Sequence, residues 1–222
     1  LIQTLEEKTN LQIDHYIEVS FAGFTGIVDA LGGIEVCSKV AINDPKSHLV
    51  MAAGTHTLGG IEALKYVRTR DFDGRGDIGR MERQQQFVGA VLRKATSSGV
   101  LLNPIKLTNF YNAAISSVKM DAGVTKNDLL TLAKQLRNLS SGNVRTLTVP
   151  ISNPNGRHPT AGSVVIWDDV LAANLWTKIR NDEALLETVK PTASASAKPV
   201  TIDKFKTKTA ADNPCAAIDS RA

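Results

Sequence analysis

Between Ala63 and Val88 the chain reads ALKYVRTRDFDGRGDIGRMERQQQFV, a stretch with five arginines: Arg68, Arg70, Arg75, Arg80 and Arg83. Three aspartates, Asp71, Asp73 and Asp77, lie among them, and three glutamines, Gln84, Gln85 and Gln86, follow. A guanidinium group is planar and permanently charged, and its forked N–H donors match phosphate or carboxylate oxygens two at a time. Several such groups drawn to one place make an anion site, and phosphate is the ligand that fits it. The same residues also permit a plain network of surface arginine–aspartate pairs, which contribute little. Burial separates the two outcomes, because an arginine set beside an apolar stripe needs an anion or a carboxylate to pair with.

Periodicity gives the elements that would place these groups. Ile61 to Val67 is a short apolar-periodic segment, and Gly74 and Gly76 break the chain in a turn. A second helical run begins at Asp77, whose carboxylate suits an N-cap. With helix from Asp77 to Leu92, the residues Ile78, Met81, Gln85, Val88 and Leu92 share the stripe that should face the core. Asp77, Arg80 and Gln84 border that stripe, while Arg83 and Gln86 point toward water. Arg68 and Arg70 alternate in sequence, so in an extended arm both project to one side. The expectation is that Arg68, Arg70, Arg80 and Gln84 converge.

This ordered run resembles the signature of the LytR–CpsA–Psr family: an AL-x-YVR-x-R arm, a short Gly/Asp loop, then D-x-x-R-x-x-RQQ. The matching residues are Ala63, Leu64, Tyr66, Val67, Arg68 and Arg70, then Asp77, Arg80, Arg83, Gln84 and Gln85. DHYIEVSFAGFTGIVDALGGIEV (Asp14 to Val36) and AAGTHTLGGIEAL (Ala52 to Leu64) look like the same family, and the resemblance spans residues 1 to 187. It implies a membrane-anchored, extracytoplasmic phosphotransferase. Such an enzyme moves a glycopolymer from a polyprenyl-pyrophosphate carrier onto peptidoglycan as a phosphodiester and releases polyprenyl phosphate. Fixed cations would stabilise the charge that grows on the phosphate oxygens.

Carried over residue by residue, the resemblance makes Arg68, Arg70, Arg80 and Gln84 pyrophosphate ligands, with Arg83 a further candidate. Asp77 either orients these arginines or serves as an acid–base group, so the catalytic roles fall to Asp77 and Arg80. Phe87, Val91 and the Ile105–Ile115 helix would wall an apolar trough for the lipid. The resemblance also implies Mg2+ or Mn2+, held by aspartates in an opening segment that precedes Leu1, together with a membrane helix there. No metal ligand is therefore expected in this chain, and Asp29 and Asp44 suit a helix end and a turn instead. The chain alone is expected to be inactive and its parent to be the enzyme. Whether the polymer is arabinogalactan, teichoic acid or capsule stays open, although the alanine-rich composition and cysteine-bearing tail lean toward an actinobacterium.

The chain has 222 residues, 42% of them hydrophobic, a net charge of +4 and a pI near 9.1. That mild basic excess, with 5% aromatics not interleaved with the basic residues, argues against nucleic acid as a partner. Two other classes remain in view: a non-catalytic envelope module that binds anionic polyprenyl lipid, and a nucleic-acid-binding regulator. His15, His48, His56 and His158 are scattered, with no cysteine or glutamate at metal-ligand spacing. The glycines carry no phosphate-loop lysine or dinucleotide fingerprint.

Strands alternating with helices indicate an α/β fold, a three-layer α-β-α sandwich with a mixed central sheet. Expected helices are Leu1–Asn10, Phe21–Leu31, Pro104–Val118, Lys126–Leu139 and Asp168 or Asp169 to about Leu186. Expected strands are Ile13–Phe21, which includes His15, Ile34–Cys37, Val144–Ile151 and Ser163–Trp167. Val40–Thr57 and the Ser152–Pro159 segment read as loops, with Arg157 able to meet an anion. Composition places one domain over 1–189, a linker over 190–200 and a tail over 201–222. The two cysteines, Cys37 and Cys215, are either unpaired or joined in one disulfide. Exported actinobacterial relatives look similar here, and a secreted setting permits the bridge.

Overall fold

Glycines, caps and turns cut this chain into short elements, in a computed structural model that describes 1–97, 118–125, 127–129, 141–189, 200–209 and six single positions. The six are Thr108, Asn112, Ile115, Thr131, Gln135 and Cys215. In chain order they begin with α1 (Ile2–Thr9), β1 (Ile17–Val19), α2 (Phe21–Ala30), β2 (Ile34–Ser38), β3 (Ile42–Asp44) and β4 (Leu49–Met51). Next come β5 (Gly54–Leu58), α3 (Gly60–Arg68), α4 (Gly76–Ser97), β6 (Val118–Met120) and β7 (Arg145–Thr146). Last are β8 (Ile151–His158), β9 (Gly162–Trp167), α5 (Asp169–Arg180), β10 (Glu187–Val189), β11 (Val200–Ile202) and β12 (Lys208–Thr209). They form two compact units, Leu1–Asp14 with Leu147–Lys208, and His15–Thr146 with Thr209–Ala222. This division falls at different places from the 189 and 201 boundaries read from composition. The expected helices over 104–118 and 126–139, apart from Val118, and the linker over 190–199 lie largely outside the described residues.

The second unit carries the arginine-rich run. Its α2 starts where Ser20 accepts the Gly23 N–H at 3.0 Å and stops at Gly32 and Gly33, with φ of 73° and 87°. Packed beside it, α3 begins at Gly60, where a Cβ would meet the Thr25 carbonyl oxygen at 2.5 Å. Gly59 offers α3 no side-chain cap, so the Asp29 carboxylate accepts the Gly60 N–H at 2.7 Å from the neighbouring helix.

β2 pairs antiparallel with β5, and β3 with β4, so Ile34, Val36, Ile42, Leu49, Met51 and Leu58 reach one core. Val28, Leu31, Ala63, Tyr66, Phe87 and Ala90 complete it from the helices. The α/β class holds, but Val40–Thr57 is no loop. It contains β3, β4 and part of β5, because Ile42 and Asp44 alternate inward as do Leu49 and Met51. The Asn43–Asp44–Pro45 turn signal marks the corner of a hairpin. β1 is shorter than expected and pairs antiparallel with β6, leaving His15 outside the strand.

Cys37 on β2 is joined to Cys215 by a disulfide with a Cα–Cα distance of 5.7 Å. The bridge spans 178 residues, for which the chain-entropy model gives roughly 5 kcal/mol as an upper figure. Reduction should therefore lower the guanidinium midpoint of the intact protein markedly, with a Cys37→Ala variant insensitive to reductant. Equal midpoints with and without reductant would show that the bridge constrains nothing.

In the other unit, Asp168 caps α5 by accepting the Leu171 N–H at 3.0 Å. This helix ends at Arg180 and not near Leu186, because Asn181 and Asp182 turn the chain away, the latter with φ 57°. Arg180 donates to the carbonyls of Asn10 at 2.9 Å and Thr9 at 3.2 Å, closing the free end of α1. The Ser152–His158 segment is strand β8 paired with β9 rather than loop, and its register shifts on either side of Asn153. Such irregularities accommodate Pro154 within a strand. The expected strand at Val144–Ile151 is split between β7 and the start of β8. No helix among the described residues is long and apolar enough to cross a membrane.

Candidate functional site

Two helices and one loop build the site, all within the second unit. α3 ends at Arg68, and Thr69 turns the chain with its hydroxyl donating to the Tyr66 carbonyl at 2.8 Å. Tyr66 is 1% exposed and anchors this end of α3 through its hydroxyl, which donates to the Cys37 carbonyl at 3.2 Å. Burial pushes its pKa up to about 12, against the opposing pull of the Arg83 charge. α4 starts at Gly76, one residue earlier than expected, so Asp77 lies inside its first turn, where a carboxylate still suits the helix dipole.

Asp77 is the meeting point. Its Oδ1 stands 3.3 Å from Arg70 Nε and 2.7 Å from Arg80 Nη2. All three side chains remain open to solvent, being 46%, 49% and 38% exposed respectively. Gln84 reaches back from α4, donating its amide to the Val67 carbonyl at 3.2 Å. Arg68 belongs to the last turn of α3 and not to an extended arm, so the alternation argument fails for it. Its guanidinium lies 5.3 Å above the centroid of the exposed Phe21 ring, a cation–π contact. Among the described residues no carboxylate lies within pairing distance of Arg68. The structure thus brings Arg70, Asp77 and Arg80 together, ties Gln84 to the end of α3, and seats Arg68 on Phe21.

Arg83 departs most from expectation. It is 4% exposed, not directed to water. Its Nη1 pairs with Asp73 at 3.0 Å, its Nη2 donates to the Thr69 carbonyl at 2.5 Å, and its Cζ sits 4.6 Å from the Phe72 centroid. Burial lowers its pKa from the ordinary arginine value, while the Asp73 carboxylate opposes that shift. With its contacts directed at the 69–73 loop, Arg83 braces that loop in this structure. The inward stripe of α4 is Gly79, Arg83, Phe87 and Ala90, whereas Val88 is 53% exposed. Phe87 lies in the core at 5.3 Å from Phe24, and Val91 packs against the core half-buried. Most of the 105–115 segment lies outside the described residues.

Asp44 and Asp73 are the supports that sequence reasoning missed. Asp44 is 1% exposed, and its carboxylate accepts from the backbone N–H groups of Arg70, Ser47, Lys46 and Asp71. Burial alone would raise its pKa, but those four donors outweigh it and hold the carboxyl below the usual range. Asp73 behaves likewise, with burial opposed and outweighed by Arg75 and Arg83. Both contribute stability that is complete above the unfolded pKa and lost as pH falls through the lower folded value. Denaturation midpoints should hold down to about pH 5 and fall steadily below about pH 4. Asp44→Asn should flatten that fall; an unchanged profile would contradict the assignment.

Among the described residues no three His, Cys, Asp or Glu side chains gather as a metal would require. Asp71 is paired by Lys46 at 2.5 Å, Asp73 by Arg75 and Arg83, and Asp77 by Arg70 and Arg80. The carboxylates here are committed to cationic side chains, so these residues do not fit a divalent ion. His15 meets Asp121 at 3.4 Å, and His56 contacts the Ala52 carbonyl at 2.9 Å.

The LytR_cpsA_psr family model covers residues 1–181. This chain belongs to the LytR–CpsA–Psr family. It is 40% identical over 168 residues to the cell wall biosynthesis protein LcpA of Corynebacterium glutamicum, covering 76% of this chain and 32% of LcpA. It is 33% identical over 139 residues to the polyisoprenyl-teichoic acid–peptidoglycan teichoic acid transferase TagU of Bacillus cereus, covering 62% of this chain and 43% of TagU. The fold resembles the crystal structure of Bacillus subtilis TagV at a TM-score of 0.65 and 22% identity, over 82% of this chain and 70% of TagV. This LytR–CpsA–Psr chain therefore spans less than half the length of the curated relatives it matches.

Proposed function

We propose that the protein to which this chain belongs transfers a glycopolymer from a polyprenyl-pyrophosphate carrier to a peptidoglycan hydroxyl. The observation that carries the proposal is the single buried Asp77 oxygen flanked by Arg70 and Arg80, whose own side chains stay open to solvent. Two guanidinium groups already held around one anionic atom can transfer their donors to a diphosphate. The name of TagU supports the substrate class: a polyisoprenyl-linked polymer, with peptidoglycan as acceptor.

In the proposed reaction the acceptor hydroxyl oxygen bonds to the phosphorus next to the polymer. The bridging P–O bond breaks, its electron pair leaves with polyprenyl phosphate, and the hydroxyl proton goes to a base. Arg70 and Arg80 stabilise the negative charge on the departing and non-bridging oxygens, with Arg68 and Gln84 at the edge of the same site. Asp77 holds the two arginines before substrate arrives and is the nearest carboxylate for the proton. No step is routed through a metal, since Asp71, Asp73 and Asp77 are each already paired with cationic side chains. Placement on the outer face of the cell membrane belongs to the same proposal, as do magnesium ligands and an anchor outside this chain.

The test uses the full-length parent protein, a labelled lipid-linked polymer and peptidoglycan. The expected result is label joined to peptidoglycan by a phosphodiester, with polyprenyl phosphate released in equal amount. Lipid capture without transfer would overturn the enzyme and favour an envelope binding module. Salt-sensitive binding of nucleic acid with no preference for diphosphate would overturn both.

A further inference from the structure

The buried carboxylate of Asp44 has no part in the proposed chemistry. It lies at the end of β3, is 1% exposed, and has no cationic side chain within pairing distance among the described residues. Oδ1 accepts from Lys46 N at 2.9 Å and Ser47 N at 3.3 Å, which closes its own hairpin corner. Oδ2 crosses 26 residues of sequence to accept from Arg70 N at 2.7 Å, with Asp71 N at 3.4 Å. A buried charge satisfied only by backbone N–H groups is costly unless those groups need fixing. A turn alone needs only Oδ1. Oδ2 fixes the backbone of the residue whose side chain reaches Asp77.

Arg70 itself depends on that tether. Its side chain is 49% exposed, so packing does not hold it, and its direction is inherited from the backbone. Just before it, the Thr69 carbonyl is held from α4 by Arg83 at 2.5 Å. Together, Arg83 on the carbonyl of 69 and Asp44 on the N–H of 70 clasp the loop on both sides of the peptide link that leads into Arg70. Displacing a binding group by about 1 Å can cost as much as a hundredfold in rate.

We propose that Asp44 is a positioning residue for Arg70, setting through the Arg70 N–H the place where that guanidinium meets a diphosphate. This rests on the diphosphate reading above, and the experiment separates the two. Farnesyl diphosphate serves as the probe, titrated calorimetrically into this chain and into Asp44→Asn, Arg70→Ala and the double variant. A hydrogen bond to a charged group is lost in Asp44→Asn, so affinity should drop by about tenfold or more with Arg70 present. With alanine at 70 the same change should matter less than about twofold, because the residue being positioned is gone. A purely structural role would instead give the same loss in both backgrounds, and that result overturns the proposal.

Amide exchange provides the second measurement. Arg70 and Asp71 N–H should exchange at least about tenfold faster in Asp44→Asn, with the core amides around Tyr66 still protected. Unchanged protection at Arg70 overturns the proposal irrespective of ligand. If Arg70→Ala binds farnesyl diphosphate as well as the unaltered chain, the diphosphate reading fails, and exchange alone decides whether Asp44 sets Arg70. Should Asp44→Asn not fold, Asp44→Ser keeps one oxygen acceptor in less volume and takes its place in each comparison.

Discussion

Alanine in place of Arg80 is expected to lower kcat/KM for polymer transfer by about 100- to 1000-fold, the range measured when one preorganised donor to a developing oxyanion is removed. Arg70→Ala should fall in the same range. The structural basis is their shared partner, since both guanidinium groups converge on Asp77 Oδ1, at 2.7 Å and 3.3 Å. Neither is buried, so neither substitution should disturb the fold, and denaturation midpoints should move little. Losing either donor leaves the other to stabilise the leaving phosphate alone, so the double variant should lose less than the product of the two single losses. Measurement requires initial rates of polyprenyl phosphate release by the full-length protein. Near-normal turnover in both single variants would remove the basis for the transferase reading.

Asp77→Asn divides its two possible roles. If Asp77 only orients the arginines, asparagine keeps one oxygen near both and turnover should drop modestly at every pH. If it accepts the acceptor's proton, turnover should fall much further.

The sequence made some of this site visible and hid the rest for identifiable reasons. Arg70, Asp77, Arg80 and Gln84 stood out because their order and spacing along one helix start are local properties. From sequence Arg83 reads as solvent-facing because a charged side chain three positions beyond Arg80 weighs toward the polar face in any periodicity argument. Its burial depends on Asp73, ten residues away in a loop that folds back onto α4. The core face of α4 differs from the periodic stripe for a related reason. Gly79 and Ala90 carry little hydrophobic weight, yet they let the helix approach, while the larger Val88 stays 53% exposed. From sequence Asp44 reads as a turn residue because it precedes Pro45. A sharper signal was its place in the Ile42–Asp44 alternation, which put a carboxylate on the buried face of a strand.

Removing the Arg83 charge is the substitution expected to cost most stability. The Arg83 side chain is 5% exposed and its Asp73 partner 9%. Breaking a buried pair from one side leaves an uncompensated charge and costs about 3–5 kcal/mol. Arg83→Met keeps much of the volume and removes the donors to Asp73 and to the Thr69 carbonyl. At about 2–4 °C per kcal/mol for a chain of this size, the melting temperature should fall by about 6–20 °C. Pairing it with Asp73→Leu removes both charges and should recover a substantial part of that loss, although the Thr69 carbonyl stays unsatisfied.

The two possible functions of Arg83 predict opposite patterns. A pyrophosphate ligand would lose transfer at an unchanged midpoint. A brace loses midpoint first, and transfer follows only as the 69–73 loop loosens around Arg70. Arg83→Lys sharpens the contrast: it keeps the charge beside Asp73 but cannot present the fork that spans Asp73 and Thr69 together. Its midpoint should lie between those of Arg83→Met and the unaltered protein. A full-strength midpoint in Arg83→Met, with transfer abolished, would return Arg83 to the substrate.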